Sequence, residues 1–167
     1  MMGYSSRPSL RAIATLVSIG AMVGCTTAPT ASISSITIER TACYGHCPVY
    51  RFTLYSDGRY VWQGREHVAV VGTARGWMDP SAYTAAMQRL KAARYLEFKD
   101  GYPMEDNDKN CEIMATDNPS VRIVVATASR PKTIYHYLGC EGFARQQTLI
   151  QLENSLDEVF QTARFIK

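Results

Sequence analysis

Tyr50-Arg51-Phe52-Thr53-Leu54-Tyr55-Ser56-Asp57-Gly58-Arg59-Tyr60-Val61-Trp62-Gln63-Gly64 decides the fold. Apolar and polar residues alternate with a period of two on both sides of Asp57-Gly58. Alternation of that kind marks two half-buried strands, and Asp-Gly between them marks a tight hairpin, expected as a type I′ turn. Tyr50, Phe52, Tyr60 and Trp62 then share one face. A row of large aromatics on a strand face reads first as core and only second as a surface for stacking a ligand. Gly64 is expected to end the second strand.

Outward from the hairpin, Ile36 and Ile38 alternate with polar neighbours, which predicts a first strand over about Ser35 to Arg40. His67 to Val71 is a further strand candidate. Asp79-Pro80 opens a helix: Asp79 accepts a backbone N–H as N-cap, and Pro80 at the first helical position gives up no needed donor. Met78 and Tyr83 are spaced as a hydrophobic staple. Tyr83, Ala86, Met87 and Leu90 form its buried stripe. Lys99 to Asn110 reads as a polar loop. Val121 to Ala126 and Thr133 to Leu138 read as a second hairpin. The chain closes on an amphipathic helix from Ala144 to about Arg164, with Leu149, Leu152, Leu156, Val159 and Phe160 on one side. Strands joined by short turns, with two helices to cover one face, predict an α+β fold built on an antiparallel sheet.

The N-terminus has a different character. Arg7 and Arg11 precede an apolar or small run, Ala12 to Val23, too short to span a bilayer, which takes about 20 apolar residues. It ends in Met22-Val23-Gly24-Cys25. This resembles the signal peptide and lipobox of a bacterial lipoprotein. The resemblance implies removal of residues 1–24, acylation of Cys25, and anchoring in a membrane by its acyl chains. Thr26 after the cysteine, rather than Asp, implies sorting to the outer membrane, with the protein facing the periplasm. Residues 25–32 then form the lipidated cysteine and a short tether of at most about 25 Å when extended. Residues 33–167 form one domain.

Removing residues 1–24 takes away two arginines and no acids, so the chain's formal +3 falls to +1. No basic stripe remains to suggest nucleic acid as a partner. The expected partners are the membrane, through the anchor, and an envelope protein or the cell wall.

Cys43, Cys47, Cys111 and Cys140 remain after Cys25. An even number in an exported domain suggests two disulfides, for which three connectivities exist. Cys43–Cys47, across a tight loop containing Gly45, with Cys111–Cys140, is the favoured pairing. Cys43-Tyr44-Gly45-His46-Cys47-Pro48-Val49-Tyr50, followed by the Asp57-Gly58 hairpin, resembles a family of bacterial envelope domains known as domain of unknown function 6438. The resemblance runs over about residues 34–163 and is most specific over 43–64. It implies the same α+β architecture, and it brings no enzyme activity, cofactor or catalytic residue.

The function expected from these features is a non-catalytic binding or structural domain of the envelope, without cofactor or resident metal. Tyr44, Gly45, His46, Pro48 and Tyr50 are its candidate binding loop. The rival reading is thiol-redox or copper handling by Cys43, His46 and Cys47, since thiolates and imidazole suit copper. Against it, the motif leads into a strand, whereas activated thiols of that kind sit at a helix N-terminus. Asp106, Asp108 and Asn110 have the alternating spacing of a calcium loop. Cys111 stands where that loop needs glycine and Asp117 where it needs glutamate, so a solvated acidic loop is expected. His67 and His136 are expected as ordinary surface or sheet residues.

Overall fold

The computed structural model describes residues 1–3, 32–103, 110–128 and 130–167. Seven strands form one sheet in the order β4-β3-β2-β1-β7-β8-β5. Strand β1 (Ile33–Arg40) lies in the middle of the sheet, antiparallel to β2 (Val49–Tyr55) on one side and to β7 (Ser120–Thr127) on the other. Strand β3 (Arg59–Glu66) follows β2, and β4 (Gly72–Trp77) follows β3, each antiparallel to its predecessor. On the other side β8 (Lys132–Tyr137) returns along β7, and the two-residue β5 (Gly101–Tyr102) joins it in parallel. A small separate ladder pairs β6 (Ile113–Met114) with β9 (Cys140–Glu141).

Two helices cover one face: α1 (Pro80–Ala92) and α2 (Gln146–Phe160), which also pack on each other. The fold is α+β, with a mostly antiparallel sheet. Period-two alternation sends Ile36, Ile38, Phe52, Leu54, Trp62, Ile123 and Ile134 under the helices. There they meet Ala86 and Leu90 of α1 and Leu149, Leu152, Leu156 and Phe160 of α2. Phe52 stacks on Phe160 with ring centres 5.0 Å apart, and Tyr50 on Trp62 at 4.8 Å. Fully burying side chains of this size stabilises by about 1.5–3 kcal/mol each. The aromatic face of the hairpin is therefore core, with Tyr60 half-buried at its edge.

The caps follow the chemistry of the termini. Asp79 accepts the Ser81 N–H at 2.8 Å, and Pro80 is the first residue of α1. Arg145 precedes α2 in the left-handed region. Its guanidinium lies over the Phe98 ring and donates to the Ala93 carbonyl, which ties the end of α1 to the start of α2.

Several expectations need correction. Asp57 does not take a positive φ; of the turn residues only Gly58 does, at 91°. The loop is Ser56-Asp57-Gly58, a three-residue turn closed by the Gly58 N–H on the Tyr55 carbonyl. That design needs one left-handed residue, where type I′ needs two. Gly64 lies inside β3, which runs to Glu66. His67 to Val71 is not a strand but the connection to β4, which carries two glycines and little apolar patterning to reveal it. Gly101 and Tyr102, expected in a polar loop, are buried at the sheet's edge. The closing helix is broken at Gln161, left-handed at φ 54°, and resumes as the short α3 (Ala163–Ile166). The break turns Phe165 back onto Trp62, ring centres 4.6 Å apart.

Residues Ala31–Lys167 form one compact unit. The lipobox and its apolar run, and Asp106 and Asp108 of the acidic loop, lie outside the described residues. Among the described residues, no helix is long and apolar enough to cross a membrane.

Candidate functional site

The antiparallel register gathers one set of loops at the Arg40 end of β1. Arg40 pairs with Tyr50, Tyr50 with Gly64, and Arg40 with Val121. The Thr41–Pro48 loop, the β3–β4 connection, Pro119-Ser120 and α3 therefore meet at that end. Backbone bonds fix them there. Thr41 N–H donates to Ser120, Tyr44 N–H to Asp117, and Ala69 and Val70 N–H to Ile166 and Phe165.

Between these loops lies a cavity of about 330 Å³. Its walls are largely apolar, from Cys47, Pro48, Pro119, Ala163 and Ile166, with one polar side made by Arg40, Tyr50, Asp157 and Thr162. Asp157 organises that side. Arg40 Nε donates to Oδ2 at 2.7 Å, Tyr50 Oη to Oδ1 at 2.6 Å, and Thr162 Oγ1 to Oδ1 at 3.1 Å. Arg40 Nη2 also reaches Asn154 Oδ1 at 3.2 Å. Burial, and then the Asp157 carboxylate, hold the Tyr50 hydroxyl above the ordinary tyrosine range. Burial is the largest single influence on Arg40 and lowers its pKa, but the charge and hydrogen bond of Asp157, with Tyr50 and Glu153, together outweigh it and hold the guanidinium above its usual value. Charge-assisted bonds of this kind are about twice as strong as neutral ones. The network thus ties β1, β2 and α2 together along this wall.

Both cysteine pairs are disulfides: Cys43–Cys47 and Cys111–Cys140, with Cα atoms 5.7 Å and 5.1 Å apart. The first closes the loop beside the cavity. The second joins the segment before β6 to β9. Of the candidate loop residues, Tyr50 is buried in the network, Pro48 lines the cavity, Tyr44 projects into solvent and Gly45 is at the exposed turn. His46 is exposed and meets the exposed His67, ring centres 4.9 Å apart. Cys25 lies outside the described residues.

Asp157, Arg40 and Thr162 are additions that the sequence did not single out, and His67, expected as an ordinary surface or sheet residue, lies beside the candidate loop. Asp157 had a signal: with Glu153 it forms an i, i+4 acidic pair beside the Leu149-Leu152-Leu156 stripe, and an acid on such a face needs a partner. Glu153 is buried as well, and its Oε1 lies 2.7 Å from His136 Nδ1 in the core. His136 is thus a buried sheet residue of β8, the second of the two places expected for it.

A family model described as a domain of unknown function, DUF6438, matches residues 34–160. The chain belongs to this family. The DUF6438 match runs from β1 to the last residue of α2, so it contains both disulfides, Arg40, Tyr50, His67 and Asp157. It stops short of Thr162 and α3. Comparison with curated proteins gives no match.

Proposed function

We propose that the chain is a lipid-anchored protein of the bacterial envelope whose DUF6438 domain is a non-catalytic binding module. Acylation of Cys25 holds it to the outer membrane, facing the periplasm, and the end of the sheet around the Cys43–Cys47 loop receives the partner. One observation carries the reading. The chain enters the domain at Ile33, whereas the cavity lies beyond Arg40, at the other end of the same strand. Seven residue steps of strand separate those ends by about 23 Å. A tether attached at one end leaves the other end turned toward whatever lies opposite the membrane.

Two further points support it. Disulfides persist in oxidising compartments such as the periplasm. Among the described residues Asp157 is the one acid on the cavity wall, and three side chains donate to it, so it acts as a structural acceptor. Copper ligation by Cys43, His46 and Cys47 would need two thiolates that the Cys43–Cys47 bond occupies, and a redox role would need an activated thiol at a helix N-terminus, where this motif leads into β2.

The test has two arms. Labelled palmitate should enter the wild type and be lost in Cys25→Ser, and an unreduced mass map should show no free thiol. A photo-crosslinker at position 44 should capture an envelope component, and one at position 34, at the tether end, should not. Unprocessed protein in the cytosol with reduced thiols overturns the anchoring. Equal capture from both positions overturns the placement of the binding end.

A further inference from the structure

The geometry points to a metal site at this end of the molecule, with His46 and His67 as its two protein ligands and a divalent first-row cation of copper(II) type as its ion. The two histidines come from different loops, 21 positions apart in sequence, and both are exposed. Their ring centres are 4.9 Å apart with planes at 64°. Two imidazoles bound to one metal at about 2.1 Å per nitrogen have ring centres about 4.5 Å apart for a right-angled N–metal–N and about 5.2 Å for a tetrahedral one. The observed separation falls between those values. Among the described residues, no side chain or backbone group hydrogen-bonds either imidazole. That contrasts with His136, whose Nδ1 is committed to Glu153.

The backbone supplies a second, independent observation. His67 has φ 52°, in the left-handed region. A non-glycine residue there costs of order 1 kcal/mol and persists where its surroundings over-determine it, often at ligand sites. The surroundings here do so. Trp62 Nε1 donates to the Val70 carbonyl at 2.8 Å, and the Ala69 and Val70 amides are bonded to α3. His67 is thus held over the His46 loop, which the Cys43–Cys47 bond holds in turn.

The chemistry selects the ion. Imidazole suits copper, zinc and nickel, and affinity among these peaks at Cu(II); calcium and magnesium want oxygen. No group of three ligating side chains converges among the described residues. The site is therefore open, with its remaining positions left to water or to a donor carried by the partner. It uses no thiolate, so it needs the disulfide intact rather than reduced.

Two substitutions separate a ligand pair from a mere aromatic contact. His46→Phe keeps a ring against His67 but removes a donor. His67→Asn suits the left-handed backbone and also removes a donor. Cu(II) is titrated into the full-length oxidised protein in detergent, followed by calorimetry and by the nitrogen hyperfine pattern in electron paramagnetic resonance. The expected result is one Cu(II) per chain with two imidazole nitrogens. Each variant should bind at least tenfold more weakly while its metal-free melting temperature stays at or above that of the wild type. The double variant should lose little more than either single one. No uptake by the wild type, or a loss below tenfold in either variant, overturns the site.

Discussion

Tyr50 and Asp157 are 107 positions apart in sequence, and their oxygens are 2.6 Å apart. That bond joins β2 to the last turn of α2, and the same carboxylate holds Arg40 of β1. Asp157→Ala leaves a largely buried guanidinium and a phenol without their acceptor. Breaking a buried pair costs about 3–5 kcal/mol, and the partial exposure of this one brings the expected loss to about 2–3 kcal/mol. Tyr50→Phe should cost about 1.5 kcal/mol, the low end for a bond to a charged group. Urea melts of both variants and of the double variant should show coupling above about 0.5 kcal/mol. Strict additivity would mean that the Tyr50 and Asp157 side chains act separately.

Stability should fall on the alkaline side. Burial, reinforced for Tyr50 by Asp157, raises the folded-state pKa of Tyr50 and Tyr95. The unfolded chain releases those protons near pH 10, while the folded protein still holds them. Their contribution is therefore complete below about pH 10 and is lost as pH rises beyond it. Denaturation midpoints should be level from pH 8 to 9.5 and drop by pH 11. Tyr50→Phe and Tyr95→Phe should each blunt the drop. An unchanged drop in both variants would assign it to other groups.

The two disulfides should differ in worth. Chain-entropy arguments give about 2 kcal/mol for the short Cys43–Cys47 closure and about 3.5 kcal/mol for Cys111–Cys140. Cys43→Ser/Cys47→Ser should leave a folded core with a lower melting temperature, and Cys111→Ser/Cys140→Ser should lose more. Equal losses, or complete unfolding of the first variant at ambient temperature, would contradict this.

Gly64 is irreplaceable for lack of space. A Cβ there would overlap the Val70 carbonyl oxygen and come within 2.8 Å of Trp62 Nε1. Gly64→Ala should break the Trp62–Val70 bond and cost about 2–3 kcal/mol, as overpacking does. The change should register as a shift in tryptophan emission. A variant as stable as the wild type would mean that the β3–β4 connection yields freely.

The hairpin, the capped α1 and the α+β class were legible, because each rests on local chemistry: period-two alternation and an Asp-Pro start. The even cysteine count pointed to two disulfides but left three connectivities, of which the favoured one, Cys43–Cys47 with Cys111–Cys140, is the one observed. β4 was not, because Gly72-Thr73-Ala74-Arg75-Gly76-Trp77 is an edge strand with little burial and so little pattern. The break at Gln161 was not, because glutamine seldom takes a left-handed conformation, and here the Thr162 N–H bond to the Asp157 carbonyl is joined by contacts remote in sequence, Phe165 on Trp62 and the Ala69 and Val70 amides on α3. The candidate loop was legible as a motif. Its partners were not: Asp157 and His67 reach it through pairings that no nearby residue encodes.

Placing β1 between β2 and β7 has a consequence for how the polypeptide matures. Strands β1 to β4 can zip together as a meander as soon as they emerge. One side of β1 then stays bare until residues 120–127 arrive, some eighty positions later. A bare, β-branched strand edge is a template for pairing with other chains. A chain in which β1 to β4 have paired but β7 has not thus carries an exposed pairing edge in what becomes the middle of its sheet, and closure by β7 removes that edge.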